Sequence, residues 1–142
     1  MNIHRHDTKR TLLVAEDIPQ MRAEVAYLLE SEFDVVASVG SGPVTVEAVV
    51  QLMPDVVVLD MATPMFDGLE VAMRLKAQRC KSKVIFITAS NDSHEVEACL
   101  AAGGDACVWN GRVRTDLVYA IKEALAGRLF FDVTPDHPGI LN

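Results

Sequence analysis

Val56-Val57-Val58-Leu59-Asp60 is an unbroken aliphatic run that stops on a carboxylate, and Leu12-Leu13-Val14-Ala15, stopping on Glu16-Asp17, repeats the pattern. Short continuous apolar runs, rather than alternating ones, are how strands read when both faces of a sheet are covered. Such strands belong to open parallel α/β sheets, whose crevice lies beyond the carboxyl ends of the strands. Two of them deliver three carboxylates to one edge, and chemistry is expected there.

Outward from these runs, strands and helices take turns. Thr11 to Ala15 is the first strand, and Glu16-Asp17-Ile18-Pro19 opens a helix with proline in its first turn. Met21, Val25, Leu28 and Leu29 recur at helical spacing and leave Arg22, Glu24 and Glu30 on the wet side. Phe33 to Val39 is the second strand, and Gly40-Ser41-Gly42-Pro43 is a loop before a helix over Val44 to Leu52. Asp55 to Asp60 is the third strand, Thr63-Pro64-Met65-Phe66-Asp67-Gly68 a turn-rich loop, and Leu69 to Gln78 a helix. Lys83 to Thr88 is the fourth strand, and Ser90-Asn91-Asp92-Ser93 offers several caps to a helix ending at Gly103-Gly104. Ala106 to Trp109 is the fifth strand and Asn110-Gly111 a turn. Leu117, Ala120, Ile121, Ala124 and Leu125 form the inner face of a last helix stopped by Gly127.

Five strands alternating with five helices require right-handed crossovers and a doubly wound α/β sheet covered on both sides. The domain is expected over 11–127, with a flexible N-terminal tail at 1–10 and a loosely attached C-terminal tail at 128–142, where Pro135, Pro138 and Gly139 fall. A chain of 142 residues suits one such domain. At 50% hydrophobic but only 6% aromatic residues, its core is expected to be mainly aliphatic. A net charge of −7 with scattered basic residues argues against direct nucleic-acid contact. No apolar stretch approaches the roughly 20 residues of a membrane helix. Cys80, Cys99 and Cys107 lack CxxC spacing and no signal peptide precedes them, so reduced, packing thiols in a cytoplasmic protein are expected. His4 and His6 read as solvated tail residues, and Trp109 is expected to pack under the last helix.

In a doubly wound sheet the first and third strands are neighbours, so Glu16, Asp17 and Asp60 meet. Like charges that close raise one another's pKa or recruit a cation, and an all-oxygen donor set suits Mg²⁺ rather than Zn²⁺. A Mg²⁺ site formed mostly by Asp17 and Asp60 is expected. A metal-neutralised aspartate is also a nucleophile toward phosphoryl donors, and the Thr88 hydroxyl can donate to a phosphoryl oxygen. A phosphohydrolase working through an aspartyl phosphate would need a second acid close behind the nucleophile. Asp60-Met61-Ala62 does not supply it, so the chain is not expected to be an enzyme.

Glu16-Asp17, Asp60, Pro64 with Asp67-Gly68, Thr88-Ala89 and Ala102-Gly103-Gly104-Asp105, in that order, resemble the receiver domain of bacterial two-component response regulators, the CheY-like family, from Leu12 to Gly127. The resemblance implies a flavodoxin-like five-stranded parallel sheet of order 2-1-3-4-5. It implies that Asp60 accepts a phosphoryl group from a histidine kinase or phosphotransfer protein. Mg²⁺ would be held by Asp17, Asp60 and the backbone carbonyl of Ala62, with Glu16 acting through water. It also directs attention to the face built by the fourth helix, fifth strand and fifth helix, about 92–126, for a downstream partner or self-association. Gly127-Arg128-Leu129-Phe130-Phe131 resembles the exit of receivers in regulators of the LuxR or NarL type.

Two positions depart from the family pattern. Asn110 stands where the family has a lysine after strand five; its amide can donate a hydrogen bond but cannot balance charge. Arg112 or Arg114 could reach back in its place, although both read as solvent-exposed. Cys107 stands where an aromatic residue commonly switches rotamer, and is too small for that movement. The alternative reading is therefore a receiver-shaped module that binds partners without phosphorylation.

Overall fold

The computed structural model describes residues 9–61 and 67–131. In chain order the elements are β1 (Thr11–Ala15), α1 (Pro19–Leu29), β2 (Asp34–Val39), α2 (Gly42–Leu52), β3 (Val56–Asp60) and α3 (Gly68–Ala77), then β4 (Lys83–Thr88), α4 (Ser93–Ala101), β5 (Ala106–Trp109), a 3₁₀ turn (Asn110–Arg112), α5 (Val113–Leu125) and β6 (Phe130–Phe131). All strand pairs are parallel, in the order β2-β1-β3-β4-β5-β6.

The expected order 2-1-3-4-5 stands, with a sixth strand added at the β5 edge. Gly127, at a left-handed φ of +85°, turns the chain out of α5. The Arg128 guanidinium then pairs with Glu123 at 2.8 Å, the Phe130 amide donates to the Asp105 carbonyl at 3.3 Å, and the Phe130 ring meets Tyr119 edge-on at 5.6 Å. Phe130 and Phe131, expected to fall in the loose tail, thus pair with β5. At the other end the Arg10 carbonyl accepts from the Asp34 amide at 2.9 Å, tying the chain down before β1 starts. Residues 1–8 and 132–142 of the expected tails, with His4, His6 and Pro135 to Gly139, lie outside the described residues.

Alternation within the strands splits the core into two layers. Leu13, Ala15, Val57, Leu59 and Phe86 face α2, α3 and α4 through Val49, Leu75 and Val96. Leu12, Val14, Val58, Ile85 and Ile87 face α1 and α5 through Leu29, Leu117 and Ile121. β3 is buried along its whole length, which is why Val56 to Leu59 are continuously aliphatic before Asp60 closes the strand. Each such side chain stabilises the fold by roughly 1.5–3 kcal/mol on burial.

Local chemistry sets the helix starts. α2 begins at Gly42, earlier than expected, because the Ser41 hydroxyl accepts from the Val44 amide and Pro43 suits the first turn. Asp67 caps α3 through the Glu70 amide at 3.0 Å. Of the candidates before α4, Asp92 is the cap, accepting from His94 at 2.8 Å and Glu95 at 3.2 Å. Phe33 falls just before β2: its amide closes the end of α1 on the Leu29 carbonyl, while its side chain is buried in the core.

Candidate functional site

Strand register brings the acids together. Ala15 pairs with Leu59 across β1 and β3, so the residues that follow, Glu16 and Asp60, come side by side. The Glu16 amide donates to Val39 at 3.0 Å and the Met61 amide to Ile87 at 2.7 Å, which holds both strand ends to their neighbours. Glu16 and Asp60 are buried at 0% and 1% exposure, while Asp17 is half-buried.

Glu16 Oε2 accepts from the Ile18 amide at 2.8 Å, whereas Oε1 is buried and accepts no hydrogen bond. Burial first, then the carboxyl groups of Asp60 and Asp17 beside it, push the Glu16 pKa from 4.5 up to about 8, against the opposing Ile18 amide. Two ionised carboxylates cannot hydrogen-bond one another. Their contact requires a proton or a cation between them. Among the described residues no group of three or more His, Cys, Asp or Glu is already arranged as a metal cage. Ala62, whose carbonyl was expected to complete the ligand set, and Pro64 lie outside the described residues.

Thr88 ends β4 one position beyond Ile87, the partner of Asp60, and is fully buried. Its hydroxyl donates to the Ser90 carbonyl at 2.7 Å, so in this state it serves the β4–α4 loop. Asn110 opens the 3₁₀ turn, exposed, and lines with Asp60 and Gly111 a cleft of about 1090 Å³ walled by α1. Arg112 is drawn to Asp116 at 3.1 Å, and Arg114 lines the cleft. Cys107 is buried under α4 beside Cys99, whose thiol pKa is raised by that neighbour and by burial.

Two residues stand differently from their sequence reading. Trp109 does not pack under α5: its indole N–H donates to the Ala89 carbonyl at 3.3 Å, and its ring lies over Gly111, where a Cβ would come within 2.8 Å. Arg22, read as a wet-side residue of α1, is half-buried and folds back so that its guanidinium donates to the Glu16 carbonyl at 2.9 Å. The room for it is left by Gly40, where any Cβ would collide with the guanidinium. Gly40 was the available signal, read only as a turn former.

A family model described as the response regulator receiver domain matches residues 12–122, and the chain belongs to that family, the receiver domains of two-component signalling. It is 32% identical over 121 residues to a putative transcriptional regulator of Pseudomonas aeruginosa, covering 84% of this chain and 58% of that one. It is 30% identical over 124 residues to the virulence factors putative positive transcription regulator BvgA of Bordetella pertussis, covering 87% and 59%. The signal receiver domain of the putative response regulator NarL from Mycobacterium tuberculosis shares 27% identity at a TM-score of 0.77, over 84% of this chain and 98% of that one. The chain thus spans just under three fifths of the length of these curated relatives. Among the described residues no helix is long and apolar enough to cross a membrane.

Proposed function

We propose that this chain is a phosphorelay receiver in which Asp60 accepts a phosphoryl group from a histidine kinase or phosphotransfer protein and a docking surface passes the signal on. The reading rests on one observation: an orphaned, buried Glu16 oxygen among the carboxyl groups of two neighbouring strand ends. Such an oxygen-only cluster suits Mg²⁺ and lacks the nitrogen or sulfur donors of a zinc site. Asp17, Asp60 and the Ala62 carbonyl would hold the ion, with Glu16 joined through water. Bound there, Mg²⁺ would neutralise the carboxylates and the charge on the transferring phosphoryl group.

The Asp60 carboxylate attacks phosphorus, the bond from phosphorus to the donor's imidazole nitrogen breaks, and that nitrogen retains the electron pair. The Thr88 hydroxyl leaves Ser90 and donates to a phosphoryl oxygen. Asn110 adds an amide donor from the cleft wall without a compensating charge. The downstream partner, or a second copy, is assigned to the face of α4, β5 and α5, residues 92–126. The domain is not itself an enzyme, acts in the cytoplasm, and makes no direct nucleic-acid contact, in keeping with its acidic charge. Because the named relatives are transcription regulators, DNA contact by a longer protein is assigned to parts outside the matched region.

A second reading, a partner-binding module that works without phosphorylation, is favoured by the engagement of Thr88 with Ser90 and by Asn110 in the lysine position. Intact-mass measurement after incubation with Mg²⁺ and acetyl phosphate separates the two. A gain of one phosphoryl group, lost in Asp60→Asn, supports the relay; no Asp60-dependent gain overturns it in favour of the module.

A further inference from the structure

The end of the sheet opposite the acids is basic. A cavity of about 590 Å³ opens where β1, β3 and β4 begin, and Arg10, Arg79, Lys81 and Lys83 all line it. Arg79, Lys81 and Lys83 come from one segment, and the topology brings Arg10, far away in sequence, beside them. One carboxylate, Asp55, lines the same cavity, and it is already engaged: it accepts from the Thr11 amide at 2.8 Å and the Thr11 hydroxyl at 3.2 Å, and pairs with Arg10 at 3.6 Å. Among the described residues the side chains of Arg79, Lys81 and Lys83 make no ion pair. Val49, Met53 and Leu125 give the cavity an apolar wall.

Backbone conformation marks the same place independently. Met53 at φ +46° and Arg79 at φ +59° are the two non-glycine residues with left-handed backbones among the described residues, and both line this cavity. Each follows the last turn of a helix, where glycine would adopt the conformation without strain. A strained side chain kept at such a position is a recurrent mark of a functional site.

We propose that this cavity binds a small phosphate-bearing molecule of nucleotide size, its phosphates against Arg79, Lys81 and Lys83 and its uncharged body against the wall of Val49 and Met53. The volume lies in the range of small-molecule sites, and the lining sets several cations beside an apolar wall. Guanidinium and ammonium groups recognise phosphate by charge-assisted hydrogen bonds. The site stands apart from Asp60, at the other end of β3, and does not depend on the phosphoryl chemistry proposed there.

Cys80 supplies the probe. It lines the cavity half-buried, while Cys99 and Cys107 are fully buried, so it is the thiol expected to alkylate first. Alkylation is followed with ATP, inorganic pyrophosphate or polyglutamate present, in chelator so that no metal bridges ATP to the acidic site. ATP is expected to slow Cys80 labelling saturably, with protection weakened about tenfold in Arg79→Gly and in Lys81→Gln and unchanged in Asp60→Asn. Arg79→Gly relieves the left-handed strain, so its melting temperature should hold or rise while binding falls. Equal protection by pyrophosphate would overturn the role of the apolar wall. No protection by either small probe, protection indifferent to Arg79→Gly, or protection by polyglutamate alone would overturn the site.

Discussion

Glu16 and Asp60, side by side at the ends of adjacent strands, confront each other as carboxyl groups, and Oε1 of Glu16 accepts no hydrogen bond. With no cation present the contact is relieved by a proton on Glu16, whose pKa stands at about 8 against 4.5 when unperturbed. The native state therefore holds more protons than the unfolded chain between those values. Unfolding free energy falls with rising pH wherever the native state binds the extra proton. In chelator, the stabilising contribution of Glu16 is complete below pH 4.5 and is lost as pH rises through about 8. Urea unfolding across this window should show the decline, and Glu16→Gln should flatten it; a slope unchanged in the variant would count against the protonated state.

Mg²⁺ would act on the same group in the opposite sense. Metal binding must displace the proton, so the rise in melting temperature on adding Mg²⁺ should be larger at about pH 8.5 than at about pH 6. Calorimetry in buffers of different ionisation heat should register proton release, and Asp17→Asn should abolish most of the effect. A Mg²⁺ response independent of pH would separate the ion from Glu16.

Gly104 tests the packing under α4. A Cβ there would lie 2.7 Å from the Phe86 ring and 2.9 Å from the Cys99 carbonyl. Gly104→Ala should destabilise the fold by about 1–3 kcal/mol, the usual cost of overpacking. Gly127→Ala, with open space around its Cβ, meets only the strain of φ +85° and should cost about 1–2 kcal/mol. Denaturant midpoints compare the two directly.

Asn110 lines the cleft that Asp60 enters, and a lysine there would bring a positive charge to bound phosphoryl oxygens. Asn110→Lys should tighten binding of a phosphoryl mimic such as beryllofluoride by about tenfold, the worth of one charge-assisted hydrogen bond. Trp109, the single tryptophan, contacts Ala89 next to Thr88 and offers the fluorescence readout. Equal affinities would show that position 110 does not reach the phosphoryl group.

The parts of the fold written in continuous apolar runs were readable without coordinates. β4 and β5 fall at Lys83–Thr88 and Ala106–Trp109, as read, and pairing of β1 with β3 makes neighbours of Glu16 and Asp60. β6 escaped notice because two phenylalanines carry no periodicity, and what places them is Gly127, Arg128 and the Tyr119 ring. Arg22 was misread because helical periodicity assigns a residue to a face but cannot foresee a long side chain folding back to a carbonyl. The basic pole was hidden for a different reason: Arg10 and the segment from Arg79 to Lys83 become neighbours only once the strands are laid in their crossed-over order.

The bond from the Thr88 hydroxyl to Ser90 gives the domain an exclusive choice. A hydroxyl carries a single hydrogen, so this one cannot tether the loop and greet an incoming anion at once. An anion that drew it toward Asp60 would leave the Ser90 carbonyl without this donor, and the stretch leading into α4 would then hang on the bonds from Ser90 to Glu95 and from Asp92 to Ser90, with no bulky rotamer needed to relay the news.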